Sequence, residues 1–391
     1  MAADWTRLPP ELLETISRNL TIYVDYLRFR CVCQSWRSSA PKTPIHLPPQ
    51  LPWLMLPQSN FYRPHRSFFN PSTNKVHSLY LPEASHGKRR CGSSHGWLVV
   101  LDETPSVLLL NPLTRAKVHL PPLSTFPNVV RFDYSEIGRE YLLRSSSSGE
   151  LYTRSLRQMR DSFVKKVVLS CSPLEANGFI ALAILNQTGD LAFCKNGDQS
   201  WTIIDDALSY SEDVVYVDGL FYAVNKYGGV AVCDVGGQSP GVSIIETPRQ
   251  MGADMQYLVN SGDDLFLIPR YLDVDYDSMD DEANVFYRTV GFDVLKMDWR
   301  GPRWEKVSSL GGRTLFIGLN SSLSLLASDF PGCVGNCIYF TDDYSEFNFE
   351  TVFGGHDSGI FSLWDKTIQR QWNSHCRVHW PPPLWVTPNP C

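Results

Sequence analysis

The sequence predicts a mainly β protein with a small α-helical N-terminal unit: three short helices over residues 4–40, then a β-propeller-like domain of roughly six or seven degenerate blades. Three observations predict this. Leu12, Leu13, Ile16 and Leu20 recur at the spacing of one helix face. From residue 60 onward, apolar residues come instead in strand-length, β-branched or aromatic runs between glycine-marked turns. A faint internal repeat places Asn-Pro-x-Thr at Asn70 and again at Asn111, close to the length of one four-stranded blade, about 40 to 50 residues.

The head opens with Pro9 and Pro10, which suit a first helical turn because the missing N–H has no partner there, and with Glu11 and Glu14 near the positive helix end. Tyr23, Leu27 and Cys31, then Cys33, Trp36 and Arg37, predict two more short helices before Pro41 stops the pattern. Roughly forty residues do not normally bury enough apolar surface to stand without disulfides, metal or a partner. The unit is therefore expected to dock on something, with Leu8, Pro9, Leu12 and Leu13 exposed for it, while Ile16 or Trp36 holds the helices together.

Residues 41–59 are dense in proline and predict a stiff linker, within which the apolar run at 52–56 is able to pack on the body. The body, 60–391, reads as all-β. Its runs include Trp97–Leu101, Val107–Leu110, Val214–Val217, Leu220–Val224 and Val230–Val232, separated by turn signals such as Asp218-Gly219 and Gly311-Gly312. Trp201 and Trp304 each come after a strand and a polar turn, which predicts the return strands of two further blades.

Composition narrows the function classes. The 391 residues are 43% hydrophobic and 19% charged, with a net charge of −6 and no block of basic residues, so nucleic acid is not an expected partner. No stretch of about eighteen apolar residues is available to span a bilayer, and the N-terminus lacks a signal-peptide pattern. Ten cysteines at irregular spacing predict a reducing compartment, nucleus or cytoplasm.

Three constellations hold residues capable of chemistry, and none predicts a catalytic, cofactor or metal site. The acidic run from Asp273 to Glu282 starts like a calcium loop, but Ser278 stands where the turn needs glycine and Asn284 where a bidentate Glu is needed. Cys333, Cys337, His375, Cys376 and His379 are soft ligands at a loose separation, and Cys337 sits in an apolar strand where a buried thiol is ordinary. Cys91-Gly-Ser-Ser-His95-Gly96 lacks the strand-to-helix setting of a nucleophile elbow and reads as a loop entering a blade.

The head also carries a resemblance. Leu8-Pro9, Glu11-Leu12-Leu13, Ile16, Leu27-Arg28-Phe29-Arg30, Val32-Cys33 and Trp36-Arg37 together resemble an F-box. The resemblance implies binding to a Skp-type adaptor, and through it to cullin and RING subunits, with Leu8, Pro9, Leu12, Leu13, Ile16, Leu27, Cys33 and Trp36 as the adaptor-binding positions. Further along, residues 291–297 (GFDVLKM), 331–343 (PGCVGNCIYFTDD), 359–364 (GIFSLW) and 380–387 (WPPPLWVT) are similar to a plant F-box family with a C-terminal domain of unknown function, related to kelch-like receptors. Head and tail together imply, by that resemblance, a non-catalytic substrate receptor of an SCF-type ubiquitin ligase that recruits a target protein. Two other readings stand beside it: a non-proteolytic F-box scaffold, and a propeller enzyme or ligand-binding protein with an incidental head.

Overall fold

The computed structural model describes residues 4–41, 44, 46–48, 50–57, 64–85, 87–146, 148–186, 188–207, 209–237, 239–275, 286–343, 357–370 and 382–389. After a 3-10 turn at Trp5–Arg7, the head forms α1 (Pro10–Arg18), α2 (Tyr23–Cys31) and α3 (Gln34–Ser38). Pro10 and Glu11 lie in the first turn of α1 and Arg18 in its last, which suits the helix dipole at both ends. Leu13, Tyr26, Phe29, Ala40 and Leu47 make a small core, with Leu8, Leu20, Tyr23 and Trp36 packed against it. Trp36 fastens the entering chain: its indole Nε1 donates to the Trp5 carbonyl at 3.0 Å, and its ring centre lies 4.5 Å from that of Phe29.

So small a core is completed from outside. Val24 of α2 is buried in a cluster with Trp53, Met55, Phe68, Leu81 and Leu98 of the body. The connecting chain lies back along the head, where Gln50 Nε2 donates to the Thr21 carbonyl at 3.3 Å and the Pro41 carbonyl accepts from Tyr26 at 2.8 Å. The expected linker, 41–59, is corrected in one respect: Trp53–Met55 is a fully buried strand of the body. The prolines flank this three-residue apolar run without interrupting it, and the strand itself is made by pairing with the far C-terminal segment Leu384–Val386.

Strands among the described residues form seven sheets, and six of them surround one axis. The first blade is composite. Trp53–Met55, His65–Asn70 and Lys75–Tyr80 come from its N-terminal part, and Leu384–Val386 pairs antiparallel with Trp53–Met55. Blades two to six occupy residues 89–120, 164–203, 213–245, 255–306 and 313–370. Around the axis Leu384–Val386 packs on Arg89–Ser94, which packs on Val164–Leu169, and so on through Asp213–Val217, Met255–Ser261 and Leu323–Leu326. The ring closes where Phe316 and Tyr339 bury against Trp385 and Leu54. A seventh, three-stranded sheet (Val129–Phe132, Tyr141–Arg144, Leu151–Arg154) lies beside the ring, its Tyr141 and Leu143 buried in the cluster shared by blades two and three.

The repeat seen at Asn70 and Asn111 has a structural cause. Each carboxamide caps the turn into a blade's last strand, Asn70 Oδ1 accepting from Ser72 N at 3.0 Å and Asn111 Oδ1 from Leu113 N at 3.0 Å. Asp234 does the same in blade four and Asp298 in blade five, because a short side chain mimics a backbone turn there. Trp201 and Trp304 join blades: their Nε1 atoms donate to Pro121 at 2.8 Å and to Gly228 at 2.7 Å. Among the described residues no helix is long and apolar enough to cross a membrane.

The centre of the ring is polar. Lys166 of blade three donates to Asp213 Oδ1 of blade four at 2.7 Å and to the Gly318 carbonyl of blade six at 3.1 Å. Asp213 also accepts from Val214 N at 2.9 Å, from Leu258 N of blade five at 3.1 Å and from Ser322 Oγ at 2.9 Å. Both side chains are almost wholly buried, 3% and 1% exposed. Blade two approaches through Gly92, where a Cβ would stand 3.1 Å from the Val167 carbonyl and 3.2 Å from that of Leu319. Removing one partner of such a pair strands a buried charge, so Lys166→Met is expected to lower stability by about 3–5 kcal/mol in urea unfolding. In a double-mutant cycle, Lys166→Met with Asp213→Asn should lose less than the two single variants summed.

Candidate functional site

The head presents an apolar face that its own core does not use. Leu12 is 52% exposed and Ile16 40%. They stand four residues apart on α1, hence on one side of the helix. Pro9 beside them is exposed, and Leu8, Leu27, Cys33 and Trp36 are half-buried. Leu13 corrects the expectation, being 0% exposed at the middle of the head core. An apolar arc wider than one core needs has two halves, and periodicity alone does not assign them. Ile16 and Trp36 likewise divide: Trp36 holds the helices, whereas Ile16 faces outward. Trp5, 64% exposed, and Val32, 54% exposed, are further apolar surface residues of the head, neither of them among the positions that the resemblance implies for adaptor binding.

A second candidate lies on the propeller axis. A cavity of about 270 Å³ is lined by residues from every blade, among them Ser93, Ser94 and His95 of blade two, Leu169, Tyr216, Asn260, Ser321 and Thr387. The run from Cys91 to Gly96, expected to be a loop, is mostly strand: Arg89–Ser94 is the axial strand of blade two, and only His95 and Gly96 form its turn. Ser93 Oγ donates to the Trp385 carbonyl, and Ser94 Oγ accepts from Leu169 N at 3.1 Å. His95, in the left-handed region at φ 51°, places Nε2 3.2 Å from the Leu169 carbonyl, so that nitrogen carries the proton and Nδ1 is the acceptor. Desolvation lowers the His95 pKa, only partly countered by the Leu169 bond. The ring is neutral at neutral pH.

A second buried charged cluster, like the hub, is structural. Arg270, wholly buried, donates from Nε to Thr289 at 2.8 Å, from Nη1 to Tyr257, Thr341 and Asp343 at 2.9 to 3.1 Å, and from Nη2 to Asp357 Oδ2 at 3.1 Å. Phe340 lies under its guanidinium at 5.0 Å. Burial works against the charge, yet Tyr257, Asp357 and Asp343 hold Arg270 protonated above its ordinary range. The GNCIYFTDD run thereby explains itself: Cys337–Phe340 is a buried strand of blade six, and Asp343 ties it to blade five. Asp342 does likewise by accepting from Tyr287 at 2.7 Å. Of the candidate metal ligands, Cys333 and Cys337 are free thiols whose pKa burial raises, while His375, Cys376 and His379 lie outside the described residues. In the acidic run, Asp273 forms an exposed pair with Arg288 at 2.8 Å, and residues 276–285 lie outside the described residues.

A three-helix head with a spare apolar face, fixed to a six-bladed ring, defines an F-box and propeller protein. The F-box domain model matches residues 5–46 and the KIB1-4 beta-propeller model matches residues 68–362. The F-box protein SKIP23 of Arabidopsis thaliana is 30% identical over 98% of this chain and 96% of its own length. F-box protein At2g17036 of the same plant is 28% identical over 98% of this chain and 95% of its own. The chain belongs to the plant F-box proteins with a KIB1-4 β-propeller. F-box domains generally bind Skp1-type adaptors.

The division of α1 gives a test. Leu12→Asp with Ile16→Asp is expected to abolish adaptor co-purification while leaving thermal unfolding unchanged. Leu13→Ala should instead destabilise the head by about 2–5 kcal/mol.

Proposed function

We propose that this chain is the substrate-recognition subunit of an SCF-type ubiquitin ligase, working in the nucleus or cytoplasm. The observation that carries the proposal is the pair Leu12 and Ile16, held exposed on a head whose own core is already filled by Leu13. That face binds the Skp-type adaptor, which brings the cullin and RING subunits, and the propeller holds the target protein. The chain itself performs no chemistry. It raises the effective concentration of target lysines near the charged conjugating enzyme, making an intermolecular attack nearly intramolecular.

Val24, buried against the first blade, supports a fixed pose between head and propeller. A fixed pose limits unproductive orientations more than a flexible tether does. The expected outcome of affinity purification is adaptor and cullin together; adaptor without cullin, or neither, would sink the reading. Val24→Asp, which leaves the head core of Leu13, Tyr26 and Phe29 in place, should retain adaptor binding but reduce ubiquitination of the captured target.

A further inference from the structure

We infer that the open edge of the seventh sheet, Leu151–Arg154, takes up an extended segment of the target as a fourth strand, one bearing a glutamate on the face that carries Arg144. This rests on the receptor reading above and names where, and by what chemistry, the target is held.

Leu151–Arg154 is hydrogen-bonded on one side only, to Tyr141–Arg144. Arg144 N donates to the Asn128 carbonyl at 2.8 Å, away from that ladder. Its partner Leu151 therefore also points its backbone groups away from the ladder, and by alternation so does Thr153. Both residues are exposed, so two N–H and two C=O groups face solvent along one edge. Edge strands are ordinarily blunted by proline, lysine, a bulge or extreme shortness. The outermost strand of blade three, Thr202–Ile203, is two residues long, and that of blade five, Arg303–Lys306, has charge at three of its four positions. Leu151–Arg154 has no proline, no lysine and an unbroken register.

A cavity of about 370 Å³ runs along the same edge. Leu151, Tyr152 and Arg154 all line it, and since consecutive residues of a strand face opposite ways, it wraps the edge rather than lying under one face. No residue of Tyr141–Arg144 lines it, whereas Thr188 does, from the turn between Ile180–Leu185 and Leu191–Lys195 of blade three. An added strand finds backbone partners and side-chain space together, which is how sheet edges capture extended peptides.

Charge selects the segment. The sheet and its turns hold four carboxylates, Asp133, Glu136, Glu140 and Glu150. Asp133 accepts from Ser135 N at 2.9 Å, Glu136 meets Arg131 at 3.5 Å, and Glu140 accepts from Gly138 N at 2.8 Å and Leu156 N at 3.0 Å. Glu150 shares the cavity lining with Arg154. Arg144 is left exposed with no carboxylate partner among the described residues. It shares a face with Leu151 and stands two strand spacings, about 10 Å, from an added strand. An arginine and a glutamate reaching toward each other span that gap, and their methylenes cover Leu151, which is 53% exposed. A lysine or arginine in the same place would meet a like charge.

The test pans the full chain against a displayed library of short linear peptides randomised at every position. Glutamate should be enriched about threefold over glutamine at one position, the scale of an exposed ion pair, and Arg144→Glu should move that enrichment to lysine or arginine. Thr153→Pro removes one outward N–H without touching the ladder and should weaken the winning peptide about tenfold, whereas Thr153→Val, which keeps the N–H, should not, both with unchanged urea midpoints. A second measurement needs no variant. On the wild-type chain the winning peptide should slow amide hydrogen exchange at Leu151 and Thr153 and leave Tyr152 and Arg154, already in the ladder, as they were. No winning peptide, winners that bind Thr153→Pro as well as the wild type, winners without the acidic preference, or no new protection at Leu151 and Thr153 overturns the inference. Self-association that Thr153→Pro abolishes, with no peptide captured, also overturns it, by making the edge a contact between copies of this chain. Failure of the receptor reading would appear elsewhere, as absence of adaptor and cullin from the purified complex whatever the peptides do.

Discussion

At the middle of the ring a single carboxylate does the joining. Asp213 accepts from blades three, four, five and six at once, and Lys166 supplies both the countercharge and a further bond to blade six. Around an axis the inner strands diverge, so side chains rather than backbone ladders must bridge them. Apolar residues fill the space between blades, as in the cluster of Val214, Leu182 and Phe221, but they do not fix angles. A buried carboxylate with four aimed donors does, because each donor left unpaired would lose its solvation without recompense. The geometry of the axial cavity, which begins at Ser322, is inherited from that arrangement.

The same logic governs the head. Its core is too small to be self-sufficient, and it turns apolar residues outward in two directions: Val24 of α2 toward the first blade, which covers it, and Leu12 and Ile16 of α1 toward solvent. Because the two faces use different residues on different helices, docking on the propeller leaves Leu12 and Ile16 uncovered. The head is thus a wedge with one face fixed and one face free.

Much of this is legible in the residues and some is not. The helices, the switch to strand-length runs and the Asn-Pro-x-Thr repeat can all be read from the chain, since each rests on local chemistry: Pro10 at a first turn, Asn70 and Asn111 capping equivalent turns. Periodicity misassigns Leu13 because a helix with two apolar sides has one period, and only tertiary contact distinguishes them. Trp53–Met55 is hidden among prolines, its strand character arising from pairing with Leu384–Val386, more than three hundred residues away. The hub is invisible in the sequence for a similar reason. Lys166 and Asp213 are single charges in separate strands, and nothing in their spacing announces a pair. His95 and the serines before it read as a loop because polar residues on an axial strand look like turn residues until the ring brings their counterparts opposite.

The composite first blade imposes an order on the life of the molecule. The F-box and the first three strands leave the ribosome early, but the strand that completes their sheet, Leu384–Val386, is among the last described residues of the chain. Chains emerge at about 5–20 residues per second, so for many seconds the nascent protein owns the exposed face of Leu12 and Ile16 and an open ring. Trp53 meeting Val386 is a contact of very high sequence separation, the kind that forms late and slowly. A message cut short between the third strand of the first blade, which ends at Tyr80, and residue 384 would therefore yield a chain that carries the head and its free face with no closed ring behind it, a second product of the same reading frame.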